Sequence, residues 1–246
     1  MYCRRIKMDY EEIIKKLKAL ENPKNVAGMA RFGIRPKIKV LGIPIPKLRK
    51  LAKEILKNVG SPTPHNLALK LFDSGTHEAR ILTGYIAEPE KITEKQFEKW
   101  VKTFDSWDVV DQVCSSCLYK TSFVVKKIFE LAERKEEFVK RTAFTLICCL
   151  SAHNLPAQAG KNMPDKEFIK FFPIIKKAST DERNFVKKAV NWALRQIGKR
   201  NKKLNKEAIN LAKDIQKMDN KGALWIAKDA IRELTSLAVK RRLNKK

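Results

Sequence analysis

Along most of the chain, apolar residues recur three and four positions apart with charged residues between them, the spacing of amphipathic helices. Residues 9–20, DYEEIIKKLKAL, place Ile13, Ile14, Leu17 and Leu20 on one face. Acids come early in this run and lysines late, as the helix dipole favours, and Asn22-Pro23 ends it. A second helix is predicted over 24–32. The stretch GIRPKIKVLGIPIP carries two glycines and three prolines and is predicted to be a loop. Pro46 then opens a helix with Leu48, Leu51, Ala52, Ile55 and Leu56 inward and Arg49 and Lys50 left to solvent or phosphate.

One theme then repeats. Helices are predicted over 63–72, 76–86, 93–104, 106–118, 121–133, 136–152, 164–178, 182–199, 204–217 and 221–236, separated by short polar breaks. Several breaks offer Ser, Thr or Asp as an N-cap. Pro173 falls inside an apolar helical pattern and is expected to kink that helix or delay its start. No segment reads as a strand. Helix pairs with short connections are the pattern of a stacked helical-repeat array, although no exact period is visible. One domain over 1–246 is expected, with ordered repeats over 9–236, a hinge or loop at 153–165 and a frayed basic tail at 237–246.

Charge changes the picture. Against 27 Asp and Glu stand 53 Lys and Arg, a formal net charge of +26, in a chain that is 43% hydrophobic and so can fold. That excess points to a polyanionic partner, nucleic acid ahead of an acidic membrane surface. No stretch approaches the roughly 20 apolar residues of a membrane span. The N-terminal MYCRRIKMDYEE lacks the apolar run of a secretion signal. A cytoplasmic protein is expected. The five cysteines lack the spacing of a disulfide framework. Cys114 and Cys117 form a C-x-x-C, but the adjacent Cys148 and Cys149 point about 100° apart on a helix and do not readily complete a metal site. Buried thiols without metal are expected.

The candidate chemistry centres on FDSWDVVDQVCSS, residues 104–116. On a helix beginning near Ser106, Trp107 and Asp111 project from one face, unless Trp107 is core and the acids merely favour the helix start. Lys140 and Arg141 open a later helix as candidate phosphate or carboxylate contacts. Lys188, Trp192, Arg195 and Lys199 form one stripe of three cations and an aromatic, suited to a nucleic-acid backbone, or else a core Trp192 with solvated cations beside it. Trp100 and Trp225 read as core residues. His77 reads as a capping or packing residue, and His65 and His153 have no metal or nucleophile pattern nearby. There is no glycine-rich phosphate loop, H-E-x-x-H or nucleophile elbow.

Together the segments GIPIPKLRKLAKEI (42–55), HEARILTGYIAEP (77–89), FDSWDVVDQV (104–113), FVKRTAF (138–144), NFVKKAVNWALRQIGKR (184–200) and WIAKDAIREL (225–234) resemble the AlkD-like DNA alkylation repair family, over about residues 20–236. S-W-D-x-x-D and K-K-A-x-x-W-A-L-R are the specific elements. The resemblance implies an all-α fold of HEAT-like helical repeats stacked into a curved superhelix with a concave basic cleft. It implies a monofunctional glycosylase that excises cationic N3- or N7-alkylated purines from duplex DNA, with no metal or organic cofactor. In that reading Asp111 is the catalytic carboxylate, Trp107 packs on the damaged nucleotide's backbone, Arg141 lies beside the carboxylate and Trp192 is a second aromatic of the cleft. Lys140, Lys188, Arg195, Lys199, Arg49 and Lys50 are the expected DNA contacts. The family's N-terminal tyrosine has no counterpart in AGMARFGIRP, which offers Phe32 or Met29 instead. A monomer without an obligate protein partner is expected. The alternatives are a non-catalytic HEAT-like nucleic-acid-binding protein and a protein-interaction scaffold.

Overall fold

The structure, a computed structural model, describes residues 8–58, 63–152 and 163–245. Cys3, His153 and most of the expected hinge at 153–165 lie outside the described residues. The described residues are helical, apart from turns, loops and one isolated bridge between Lys39 and Thr76. They divide into two compact units, residues 1–121 and 122–246.

The first unit holds α1 (Tyr10–Ala19), α2 (Pro23–Arg31), α3 (Ile45–Asn58), α4 (Pro64–Phe72), α5 (His77–Ile86), α6 (Glu94–Thr103) and α7 (Trp107–Ser116). Local chemistry sets their starts. Asp9 accepts the Glu12 amide and Asn22 those of Lys24 and Asn25, while Thr93 and Gln96 form a reciprocal capping box on α6. Helix α5 is the centre of the unit, packed against α3, α4 and α7. Gly84 permits the close approach to α7: a Cβ there would sit 2.9 Å from Val113 Cα. Trp100 is buried and stacked on Phe72 with ring centroids 5.0 Å apart, the core role expected of it.

The second unit holds α8 (Val124–Ala132), α9 (Glu137–Ala152), α10 (Asp165–Ile169), α11 (Phe172–Ala178), α12 (Asn184–Gly198), α13 (Lys202–Gln216), α14 (Lys221–Leu234) and α15 (Leu237–Asn244). Helix α12 is its centre, packed against α9, α13 and α14. The single helix expected over 164–178 is two, and Pro173 stands in the first turn of the second, where its missing N–H costs nothing.

Three expectations are corrected. The tail does not fray from residue 237: Ser236 caps α15, which buries Val239 and Leu243. Leu56 is 49% exposed because the inward stripe of α3 runs through Leu48, Leu51, Ala52 and Ile55. Trp225 is 41% exposed because α14 buries Ala223, Ile226, Ala227 and Ala230, a stripe of mostly small residues that leaves the indole outside.

Candidate functional site

In the first unit, the site is built where the loop between α2 and α3 is tied to the starts of α5 and α7. The Lys39 carbonyl accepts the His77 amide at 2.8 Å, and Asp105 accepts the Lys37 amide at 2.9 Å. Glu78, buried on α5, accepts the amides of Leu41, Gly42 and Ile43 at 2.9, 2.7 and 3.2 Å. Three amide donors satisfy a carboxylate that would otherwise be costly to bury. Gly42 supplies the positive φ, 73°, that the turn at this carboxylate needs.

Trp107 and Asp111 project from adjacent turns of α7. The indole Nε1 donates to the Phe32 carbonyl at 3.0 Å, so the end of α2 lies against Trp107 through its backbone. Phe32 itself is 74% exposed. Asp111 is half-buried. Asp108, by contrast, is buried, and its carboxylate takes His77 Nε2 at 2.8 Å and the Ser106 hydroxyl. Burial raises the Asp108 pKa, but His77 and Ser106 outweigh it and hold the carboxyl below its ordinary value. Burial likewise disfavours the His77 charge, while Asp108, with help from Glu78 and Asp105, holds its pKa above the ordinary value. His77 therefore packs, as expected, but as half of an ion pair.

Arg49 and Lys50 are exposed on α3. The Arg49 guanidinium lies 5.8 Å over the Tyr85 ring and 3.5 Å from Gln112, the neighbour of Asp111. Tyr85 donates its hydroxyl to the same Gln112 oxygen at 2.5 Å. A cavity of about 590 Å³ opens beside α7, walled by Met29, Ile34, Ile43, Ile81, Trp107 and His77 among others. Asp111 does not line it.

In the second unit, Arg141, Lys188, Trp192 and Arg195 converge with Trp225 and Asp229 around an open pocket of about 430 Å³. Arg141 is buried and donates to the Phe185 carbonyl at 2.7 Å, which aims its guanidinium from α9 across α12. Trp192 is half-buried and Lys188 exposed. Trp225 carries Lys187 over its ring at 5.3 Å. The stripe is less cationic than its sequence: Arg195 pairs with Glu233 and, at 3.3 Å, with Asp229, and Lys199 pairs with Glu233 at 2.6 Å. Lys140 lies 3.5 Å from Asp181, which Arg183 also holds at 2.6 Å.

The structural ion pair of His77 with Asp108 and the amide-bound Glu78 were missed from sequence, because their partners lie 31 to 37 residues away. Cys114, Cys117, Cys148 and Cys149 are buried thiols. Burial pushes Cys117 up to about 12. No group of metal-binding side chains occurs among the described residues, and no helix among them is long and apolar enough to cross a membrane.

A family model described as DNA alkylation repair enzyme matches residues 13–234. The uncharacterised protein Lin0241 of Listeria innocua is 23% identical over 212 residues, 85% of this chain and 87% of its own. The uncharacterised protein Lmo0209 of Listeria monocytogenes is 30% identical over 101 residues, a match that spans 40% of this chain and 42% of that protein. A solved structure described as a new family related to the HEAT-like repeat DNA glycosylases with affinity for branched DNA structures superposes with a TM-score of 0.71 at 20% identity, covering 92% of this chain and 95% of that one. The fold is that of HEAT-like helical repeats.

Proposed function

The chain belongs to the DNA alkylation repair enzyme family, and from that premise we propose that it is a monofunctional glycosylase that removes cationic N3- or N7-alkylated purines from duplex DNA, with Asp111 as the catalytic carboxylate. The observation that supports the assignment is the difference in burial between the two acids of S-W-D-x-x-D: Asp108 is buried against His77 and Ser106, and Asp111 is half-buried one turn after Trp107, within reach of solvent.

The chemistry needs only one carboxylate. An alkylated purine that already bears positive charge leaves as a neutral base with the electron pair of the C1′–N bond, so little protonation is needed. The deoxyribose left behind has oxocarbenium character. A fixed carboxylate stabilises that cation and accepts a proton from the water that adds to C1′, giving an abasic site. Trp107 offers a π face toward the same cation. In the second unit, Arg141, Trp192 and Lys188 hold the phosphodiester backbone through a guanidinium, an indole and an exposed ammonium. Arg49 and Lys50 add phosphate contacts from α3, and Lys140, Arg195 and Lys199 supply further positive charge. The reading requires no metal or organic cofactor, and it places the protein on DNA inside the cell as a monomer.

The test is release of N7-methylguanine and N3-methyladenine from duplex DNA by the wild type and by Asp111→Asn. Wild-type release that the variant loses, with DNA affinity kept, supports the reading. No release by either protein, with equal DNA binding, overturns it. That outcome favours the second reading, a nucleic-acid-binding protein without base release. The solved neighbour described by its affinity for branched DNA structures supports that alternative, with branched DNA competed against linear duplex as its test.

A further inference from the structure

Helix α14 carries a stripe that repeats the one on α12. Lys188, Trp192, Arg195 and Lys199 stand four, three and four residues apart, and so do Lys221, Trp225, Lys228 and Arg232. Each set lies along one face of its helix. The two helices pack together, and both indoles line the same open pocket of about 430 Å³. The second stripe is the more open. Lys221, Trp225, Lys228 and Arg232 are all exposed, whereas Trp192 is half-buried and Arg195 and Lys199 are held by Glu233.

A single exposed apolar residue is ordinary on a protein surface. Trp225 differs in its surroundings. The small side chains of α14 face the core and leave the indole at the pocket. The Lys187 ammonium lies 5.3 Å over the ring, and 41% of the residue stays open. Asp229 brings an acid to the pocket, but Arg195 at 3.3 Å, Asn191 at 2.7 Å and Arg232 take up its carboxylate. A ligand therefore meets an aromatic surface among cations, with Lys188 in the pocket and Lys221 and Lys228 along the helix. That combination fits a nucleotide whose base is free to stack and whose phosphates are negative. A base inside a duplex is already stacked on its neighbours and offers a protein only its edge and its backbone.

We propose that Trp225 is a stacking site for an unpaired base of single-stranded DNA, with Lys188, Lys221 and Lys228 along the phosphates of the strand. The choice of DNA rests on the family to which the chain belongs. The stacking role goes beyond base release and holds whether or not the protein is a glycosylase.

The test measures binding of a labelled oligodeoxythymidine of about ten nucleotides, and of a labelled duplex, at several salt concentrations by fluorescence anisotropy. The proteins are wild type, Trp225→Ala, Trp225→Phe, Lys228→Ala and Leu224→Ala, with circular dichroism to confirm that each is folded. Leu224 is the control, because it is exposed on α14 but does not line the pocket. Trp225→Ala is expected to weaken oligodeoxythymidine binding by about tenfold or more, while Trp225→Phe, which keeps a π face, stays within about threefold of wild type. Duplex affinity stays within about twofold in both, and Leu224→Ala changes neither. The salt slope separates stacking from charge: Lys228→Ala lowers it by about 0.7 on the single strand, and Trp225→Ala leaves it unchanged. Absence of single-strand binding by the wild type, unchanged single-strand binding by Trp225→Ala, or equal losses on single strand and duplex overturns the proposal. Base release from duplex is scored separately. Its absence in the wild type removes the glycosylase reading and leaves the stacking site, and absence of the Trp225→Ala effect does the reverse.

Discussion

His77 Nε2 and Asp108 Oδ2 lie 2.8 Å apart with both side chains almost wholly out of solvent, and this pair joins the first turn of α5 to the first turn of α7. Trp107 precedes Asp108 by one residue, so the pair also fixes where the indole and Asp111 emerge. Removing one partner leaves the other buried and uncompensated. Asp108→Ala is therefore expected to cost about 3–5 kcal/mol, read as a large fall in the denaturation midpoint. Asp111→Asn changes a half-buried face and is expected to shift the midpoint far less. Equal effects would remove the distinction between Asp108 as the structural acid and Asp111 as the proposed catalytic one.

The same pair predicts a pH window. The His77 pKa is raised above its ordinary 6.5, so its contribution is fully present below pH 6.5 and is lost as pH rises through the folded-state value. The Asp108 pKa is depressed below 3.8, so its contribution is present above pH 3.8 and is lost as pH falls through the folded-state value. The pair stabilises most between these limits. Subtracting the melting curve of His77→Gln from that of the wild type cancels other titrations, including that of His65, which burial lowers. The difference in Tm should be largest near pH 5–6 and shrink as pH rises beyond 6.5. A difference that grows above pH 6.5 would contradict the assignment.

Helix positions were legible in the sequence because each helix buries its own 3.6-residue stripe. The same stripe explains the misplaced residues. In α14, Trp225 stands among Leu224 and Ile226 and looks like core, but the periodic set is Ala223, Ile226, Ala227, Ala230 and Leu234. Read for period rather than for size, it would have placed the indole outside. The basic residues of α15 hid the i, i+4 pair of Val239 and Leu243 beneath a correct N-cap. Trp107 and Asp111 share a face because their spacing is local to one helix. The convergence of Arg141 from α9 with Lys188, Trp192 and Arg195 from α12 needed the residues themselves to be singled out first, since nothing local to either helix pairs them. The His77 ion pair and the Glu78 amide cluster join residues far apart in the chain, so no local pattern announces them.

Two glycines at the site should respond in opposite senses. Gly42 has a φ of 73°, and a Cβ there would stand 2.3 Å from the Asn22 carbonyl oxygen, so Gly42→Ala both strains the backbone and disturbs the turn that Glu78 holds. A loss of more than about 1 kcal/mol is expected. Gly28 is helical with open space at its Cβ position, and Gly28→Ala should be neutral or stabilise by up to about 1 kcal/mol. Denaturant titration of both variants checks the contrast. A stable Gly42→Ala would mean that the loop accommodates a side chain without its glycine turn.

The cationic stripe of α12 predicts a graded salt dependence of DNA binding. Lys188 is exposed, whereas Arg195 and Lys199 are held by Glu233, whose carboxyl pKa those two cations keep low despite burial. A phosphate contact by Lys188 releases a counterion outright, so Lys188→Ala should reduce the slope of log K against log salt by about 1. Lys199→Ala should reduce it less, because that charge is already partly neutralised before DNA arrives. Glu233→Gln releases Lys199 and leaves Arg195 with Asp229 alone, and should tighten binding and steepen the slope. If Lys188→Ala and Lys199→Ala flatten the slope equally, and Glu233→Gln leaves it unchanged, the acids of α14 do not govern the charge that α12 offers to DNA.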